Sequence, residues 1–362
     1  MSLSMIISCG GTGGHFYPGL SIARECQASE KTVRLYVAGK HSVSQQQYAA
    51  KYNIEADIGK AIGFPSQKWK LPLFFLVFLW TTFTSLLYLL KHRPKAVLVM
   101  GSFASVPLGL AAVMTWTPLY LHEGNTVAGR ANRLLSRFSR RLFLSFPIIN
   151  SGLIKCPVDE VGMPIRPELE NFDQENKKFK EKCGFDPQVP LIMVFGGSQG
   201  AMKINEALYE SLGLIQAEIQ LLHLTGQEDN KVYEEKARAA GVSAQIMTST
   251  DKMGDYYMAA DLIVCRSGAS SLAEIALFGK PTLFIPLKIA AENHQFHNAE
   301  LARKAGAAEI LIEGELSGAK LASAMESLLR DKLAWGTMSE KMIGISRKNV
   351  AKTLLKTIYS SC

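Results

Sequence analysis

The chain has 362 residues, 48% of them hydrophobic and 20% charged, with a formal net charge of +8. That length exceeds one ordinary hydrophobic core and the composition excludes a disordered or low-complexity protein, so two domains of about 150–200 residues each are expected. The charge is one-sided: residues 1–160 carry 17 Lys and Arg against 7 Asp and Glu, and residues 161–362 carry 23 against 25. An anionic partner is therefore expected at the N-terminal half.

Taken in chain order, Met1 to Cys9 is too short for a signal peptide and lacks its basic start and cleavage site, and residues 5–8 within it read as a first strand. Strands are expected next at 34–38, 96–100, 119–122 and 141–144, and in the second half at 191–195, 220–224, 244–247, 262–265 and 282–285. Each is a short apolar run separated from the next by a stretch of helical period, the pattern of parallel strands joined by crossover helices. The fold class is thus α/β, with two doubly wound, Rossmann-like domains and a cleft between them. Residues 1–164 form the first and 165–338 the second, divided near Pro164 and Pro167, which forbid a continuous helix. A last helix over 339–359, within the segment 339–362, is expected to cross back and brace the first domain. The six cysteines form no C-x-x-C pair and read as reduced thiols of a cytosolic protein.

Two glycine loops stand out. The first strand runs into Gly10-Gly11-Thr12-Gly13-Gly14-His15, followed by a helix from Pro18, and the strand at 191–195 runs into Gly196-Gly197-Ser198-Gln199-Gly200-Ala201. Glycines let the backbone turn tightly and approach a ligand, while a helix start offers N–H donors and a positive dipole end to phosphates or hydroxyls. Neither loop matches the P-loop, and no acidic residue ends the second strand, so a nucleoside triphosphatase and a dehydrogenase are disfavoured. His15 follows the first loop, where a neutral imidazole can take a proton from an attacking hydroxyl.

The densest motif is Cys265-Arg266-Ser267-Gly268-Ala269-Ser270-Ser271-Leu272-Ala273-Glu274, followed by His294-Gln295-Phe296-His297-Asn298. It reads as a strand entering a helix whose first turn carries small hydroxyl residues, with Glu274 where a ribose diol can meet a carboxylate. No D-x-D occurs in the chain, so no metal site and no cofactor is expected. The segment from Leu71 to Leu90 is a 20-residue uncharged run. It is long enough to cross a bilayer of about 30 Å, yet the strand after it must rejoin the same sheet, which favours a helix partly packed on the domain and partly dipped in the interface. Arg130, Arg133, Arg137, Arg140 and Arg141 recur at nearly helical spacing beside it, a basic stripe suited to an anionic membrane surface rather than to nucleic acid, for which no recognition motif is present.

Together the first glycine loop, His122-Glu123-Gly124-Asn125, the second glycine loop with Asn205, and the block from Arg266 to Ala299 resemble the MurG family over nearly the whole chain. These are the bacterial N-acetylglucosaminyltransferases that convert lipid I into lipid II in peptidoglycan synthesis. The resemblance implies a GT-B fold, an acceptor domain followed by a domain for UDP-N-acetylglucosamine, a lipid-linked muramyl-pentapeptide acceptor, and a peripheral position on the cytoplasmic face of the membrane. It implies inverting transfer with His15 as base, and substrate contacts at Thr12, Gly13, Gly14, Asn125, Arg166, Ser198, Ala269, Ser270, Ser271, Leu272, Ala273, Glu274 and Gln295. Met253, His294, Asn298 and Asn205 are further candidates. The chain departs from the family in having Gly124 in place of Gln, Phe103 in place of an aromatic hydroxyl, and Ser249-Thr250-Asp251 before Met253. Two alternatives share the fold: a UDP-N-acetylglucosamine 2-epimerase, which needs no lipid-facing segment, and a transferase that makes glycolipids.

Overall fold

The computed structural model describes residues 3–39, 41–60, 67, 69, 71–174, 178–197, 201–226 and 230–360. The chain divides into two compact units, Met1–Arg166 with Arg347–Cys362, and Pro167–Ser346.

The first unit comprises β1 (Met5–Cys9), α1 (Gly13–Ala28), β2 (Val33–Ala38), α2 (Ser42–Ala50), β3 (Ala56–Gly59), α3 (Leu71–His92), β4 (Ala96–Val99), α4 (Val106–Met114), β5 (Leu119–Glu123), α5 (Arg130–Leu135), β6 (Arg141–Leu144) and β7 (Val158–Glu160). Its seven strands are all parallel, in the order β3-β2-β1-β4-β5-β6-β7. Alternate residues face opposite sides, and both sides are covered. Met5, Ile7, Leu35 and Leu98 pack with Phe16 and Leu20 of α1, whereas Ile6, Val97, Val99 and Leu121 pack with Leu89 of α3 and Leu108 of α4. This is why the central strands read as unbroken apolar runs.

The second unit comprises α6 (Pro167–Glu170), α7 (Phe179–Lys182), β8 (Leu191–Phe195), α8 (Met202–Leu212), β9 (Gln220–Leu224), α9 (Asn230–Ala239), β10 (Ser243–Met247), α10 (Met253–Ala259), β11 (Leu262–Cys265), α11 (Ala269–Phe278), β12 (Thr282–Phe284), α12 (His294–Lys304), β13 (Ala308–Ile310), α13 (Gly318–Arg330) and α14 (Lys332–Ile345). Its six parallel strands run β10-β9-β8-β11-β12-β13. In both sheets the order reverses next to the first strand, between β1 and β4 and between β8 and β11. In open α/β sheets ligands bind beyond the carboxyl ends of the strands at such a reversal.

The single helix expected over 339–359 is instead two helices. The first, α14, belongs to the second unit, and only α15 (Val350–Ser360) belongs to the first, where Leu354, Leu355 and Ile358 join the core beside α1. The break falls at Ser346, whose backbone is extended, and at Asn349, with φ of 55°. Helix α1 begins at Gly13 rather than Pro18, because Thr12 is the N-cap and Pro18 is carried inside the helix. The glycines and His15 therefore form its first turn.

One face of α3, marked by Phe74, Thr81, Ser85 and Leu89, is buried against the domain, and the helix packs along α4. Its other faces leave Leu76, Leu79, Trp80 and Phe83 between 49% and 66% exposed. The 22-residue helix, with mean hydropathy 2.0 and 22% of its apolar window buried, is long and apolar enough to cross a membrane by length and composition. The arginine stripe is shorter than the spacing suggests. Helix α5 ends at Leu135, and Arg141 lies in β6, where it pairs with Asp159 at 2.6 Å. Arg130, Arg137 and Arg140 remain exposed.

Candidate active site

In the first unit the reversal point is occupied by two tight corners. Between β1 and α1, a side chain at Gly10 would place its Cβ 2.5 Å from the Ala38 carbonyl oxygen, so only glycine lets the chain pass there. After β4, Gly101 adopts φ of 88°, with the His122 carbonyl and the Asn132 side chain each 3.2 Å from where a Cβ would stand, which again restricts the position to glycine.

These corners fix His15. Its Nδ1 lies 2.7 Å from the Met100 carbonyl oxygen. A carbonyl can only accept, so Nδ1 carries the proton and Nε2 carries the lone pair. The ring is half-buried, and it is held in the tautomer a general base requires.

Beside it is a buried polar network after β5. Glu123, 2% exposed, accepts on Oε1 from the Asn125 backbone amide (3.0 Å) and side chain (3.3 Å). Its Oε2 accepts from the Gly129 amide (2.8 Å) and from Asn132 Nδ2 (2.9 Å). The carboxylate thus sets the orientation of Asn125 and the start of α5. His122 is buried next to Ser145 Oγ at 3.2 Å. Burial, with a smaller push from His15, holds its pKa down at about 4 against the hydrogen bond to the Gly162 backbone, so it is neutral. Arg166 places its guanidinium 5.4 Å from the centre of the Tyr17 ring.

In the second unit the turn from β11 into α11 is built as the sequence suggests. Gly268 is the N-cap, and the first intrahelical bond runs from the Leu272 amide to the Gly268 carbonyl. The amides of Ala269, Ser270 and Ser271 therefore precede the helical ladder and present donors with the positive end of the dipole. Ser270 Oγ is shielded from solvent with no hydrogen-bond partner among the described residues. The Leu272 and Ala273 side chains are buried in the core, and the Leu272 amide is already engaged by Gly268. Glu274, one turn on, accepts a hydrogen bond from Tyr257 at 3.1 Å.

The second shoulder of this turn is the start of α12. Ser267 Oγ donates to the Gln295 carbonyl (2.7 Å), Asn298 Nδ2 donates to the Ser267 carbonyl (3.1 Å), and Gln295 Oε1 accepts from the Leu287 amide (3.0 Å). With its oxygen so engaged, the Gln295 side chain presents its amide N–H. His294 is half-buried, with Nδ1 turned back to the Ala291 carbonyl at 2.8 Å, and Met253 opens α10.

Asn205 and Asn298, expected as further contacts, are fully buried. Asn205 bonds His223 at 2.9 Å and the Thr225 carbonyl at 3.4 Å. Both asparagines brace the turns from behind rather than meeting a ligand. Ser198 lies outside the described residues. A cavity of about 580 Å³ in the second unit is lined by Glu309, Leu328, Asp331 and Met338 among others, and by none of the expected site residues.

What the sequence did not single out are Glu313 and Met100. Glu313 forms a buried ion pair with Arg266, and Met100 sets the His15 tautomer through its carbonyl.

Comparison with known proteins identifies the family. Residues 5–144 match the glycosyltransferase family 28 N-terminal domain and residues 191–354 its C-terminal domain. A protein of Caldanaerobacter subterraneus subsp. tengcongensis is 33% identical over 361 residues, covering 96% of this chain and 98% of its own. One of Pelobacter propionicus is 30% identical over 376 residues, covering 99% of each. Both are named UDP-N-acetylglucosamine–N-acetylmuramyl-(pentapeptide) pyrophosphoryl-undecaprenol N-acetylglucosamine transferase. Among solved structures, Acinetobacter baumannii MurG superposes with a TM-score of 0.79 at 24% identity, over 99% of both chains. UDP-GlcNAc 2-epimerase from Neisseria meningitidis, bound to UDP-GlcNAc, gives 0.67 at 15% identity, over 98% of this chain and 100% of its own. The fold is the two-domain GT-B architecture, and the chain belongs to the MurG family of glycosyltransferases.

Proposed function

We propose that this protein transfers N-acetylglucosamine from UDP-N-acetylglucosamine to the 4-OH of the muramyl sugar of lipid I, giving lipid II. The observation that carries the chemistry is the Met100 carbonyl bond, which leaves the His15 lone pair on Nε2. The full-length relatives name the donor and acceptor. The epimerase reading is not favoured, because that likeness is one of fold at 15% identity.

In this mechanism the first unit holds the acceptor and the second the donor. The acceptor hydroxyl gives its proton to His15 Nε2, its oxygen bonds C1 with inversion, and the bond from C1 to the diphosphate oxygen breaks. Charge on the departing UDP falls to the α11 amides and Ser270 Oγ, donors fixed before reaction and so strongly stabilising. Arg166 and Ser198 add to this by family resemblance, as do Thr12, Gly13 and Gly14 at the acceptor. Glu274 takes the ribose diol, while Asn125 and Gln295 take the sugar.

The exposed faces of α3 and the arginines of α5 and its following loop are the membrane-docking surface, at the cytoplasmic face where a polyprenyl-linked acceptor resides. Spanning is disfavoured by the sheet itself: β3 and β4, on either side of α3, lie in the same seven-stranded sheet.

The test is UDP release with a muramyl-pentapeptide pyrophosphoryl lipid, compared with diacylglycerol as acceptor. Activity confined to diacylglycerol would overturn the assignment. A general base contributes about 10²–10⁴ in rate, so His15→Ala should lower turnover by that order with donor affinity retained. Unchanged turnover would remove His15 from the mechanism.

A further inference from the structure

We infer that Glu313 is a positioning residue for the donor sugar, acting through the loop that orients Gln295. The inference rests on the donor reading proposed above. Glu313 is 7% exposed and Arg266 is 9% exposed. One carboxylate oxygen pairs with Arg266 Nη2, and the other accepts the Lys288 backbone amide at 3.1 Å. The second arm of Arg266 donates to the Ile285 carbonyl at 2.9 Å. A single buried anion thereby ties the end of β11 and the loop after β12 to a segment 47 residues downstream.

The tie lands where it matters for Gln295. The amide held by Glu313 is that of Lys288, and the preceding amide, Leu287, is the one that takes Gln295 Oε1. Adjacent peptide units thus anchor the loop and set the side-chain orientation. Further along, Glu292 and Asn293 both adopt positive φ, 52° and 55°. Non-glycine residues persist in that region only when their surroundings hold them there. Withdrawing the carboxylate frees the Lys288 amide and lets the loop relax, so the Leu287 amide shifts and Gln295 no longer aims its N–H at a fixed point. Glu274 and the α11 amides, which are held by other bonds, keep their places.

The experiment is calorimetric titration of the full-length protein with UDP and, separately, UDP-N-acetylglucosamine, for wild type, Glu313→Gln, Gln295→Ala and the double variant. A hydrogen bond to a charged group is strong enough that its loss costs about tenfold or more. Glu313→Gln should therefore weaken UDP-N-acetylglucosamine by about tenfold while UDP stays near wild-type affinity, and the double variant should bind no more weakly than Gln295→Ala alone. Glu313→Asp keeps the charge beside Arg266 but falls short of the Lys288 amide, and it should show the same split if Glu313→Gln does not fold. Equal losses for both ligands, additive losses in the double variant, or unchanged sugar-nucleotide binding would overturn the inference. A wild-type protein that fails to bind UDP-N-acetylglucosamine would sink the donor reading itself, and this inference with it.

Discussion

Replacing Glu123 with its isostere Gln should damage the first unit far more than a conservative change normally does. Each Glu123 oxygen faces one backbone N–H, that of Asn125 at 3.0 Å or of Gly129 at 2.8 Å, together with one side-chain amide. A glutamine offers one oxygen and one NH₂, so whichever way it is turned, a donor meets a backbone donor. The side chain of Asn132 can flip to accept, but only by giving up its 2.9 Å bond to the His122 carbonyl. A hydrogen bond to a charged group contributes about 1.5–3 kcal/mol, and an unsatisfied buried donor adds about 1–3 kcal/mol. Relief from burying a charge offsets part of this, so the expected destabilisation is about 3 kcal/mol. With a urea slope of about 1–3 kcal/mol per molar, the midpoint should fall by about 1–3 M. Far-ultraviolet circular dichroism follows the transition, since Trp69, Trp80 and Trp116 of this unit are 57–93% exposed and their emission would change little on unfolding. The exposed Glu235→Gln is the control, expected within about 0.5 kcal/mol of wild type. A Glu123→Gln loss as small as the control's would refute the account of the network, and with it the claim that Glu123 orients Asn125.

Acid should destabilise both units above the range where carboxylates titrate. Burial holds His122 and His223 at about 4, against about 6.5 in an unfolded chain. Their depressed values mean the unfolded state binds more protons between those limits. Stability is therefore lost as pH falls from about 6.5 towards 4, by about 1.4 kcal/mol per pH unit for each histidine. Urea midpoints that are flat from pH 6.5 to 5 would contradict this. On α3, Leu76→Glu with Leu79→Glu should leave thermal stability nearly unchanged, because both side chains are mostly exposed, at 66% and 63%. Partition onto anionic vesicles should fall at least about tenfold, since each buried apolar side chain contributes about 1.5–3 kcal/mol; wild-type flotation by the variant would remove α3 from the docking surface. Glu274→Ala should weaken UDP binding by about tenfold, and wild-type affinity by calorimetry would refute its ribose role.

The central strands and the corners at Gly10–His15 and Ser267–Glu274 were legible in the sequence because each is local: an apolar run buried on both faces, then glycine, then a helix start. The three strands that escaped notice, Ala56–Gly59, Val158–Glu160 and Ala308–Ile310, share a reason. They are edge or outer strands of three or four residues with exposed positions, so no hydrophobic run marks them. The start of α1 was obscured by Pro18, although Thr12 is a residue type that caps helices. The arginine stripe shows the opposite error, since its nearly helical spacing runs on past Ser136, where α5 stops.

The site divides in the same way. Residues proposed to meet a ligand through the first turn of a helix follow their glycines in sequence, so their types and spacing announce them. Residues that aim those groups come from elsewhere in the chain. The carbonyl that sets the His15 tautomer is 85 residues away, and the carboxylate behind the Gln295 loop is 47 residues from its arginine. Parallel topology produces this separation: neighbouring strands at the reversal, β1 and β4 or β8 and β11, are joined only through other strands and crossover helices. A main-chain carbonyl has no side-chain signature at all, and Glu313 sits in a polar stretch that looks like ordinary surface. Each half of the chemistry therefore combines a short local motif, which composition and spacing identify, with a distant clamp that only the folded sheet brings to it.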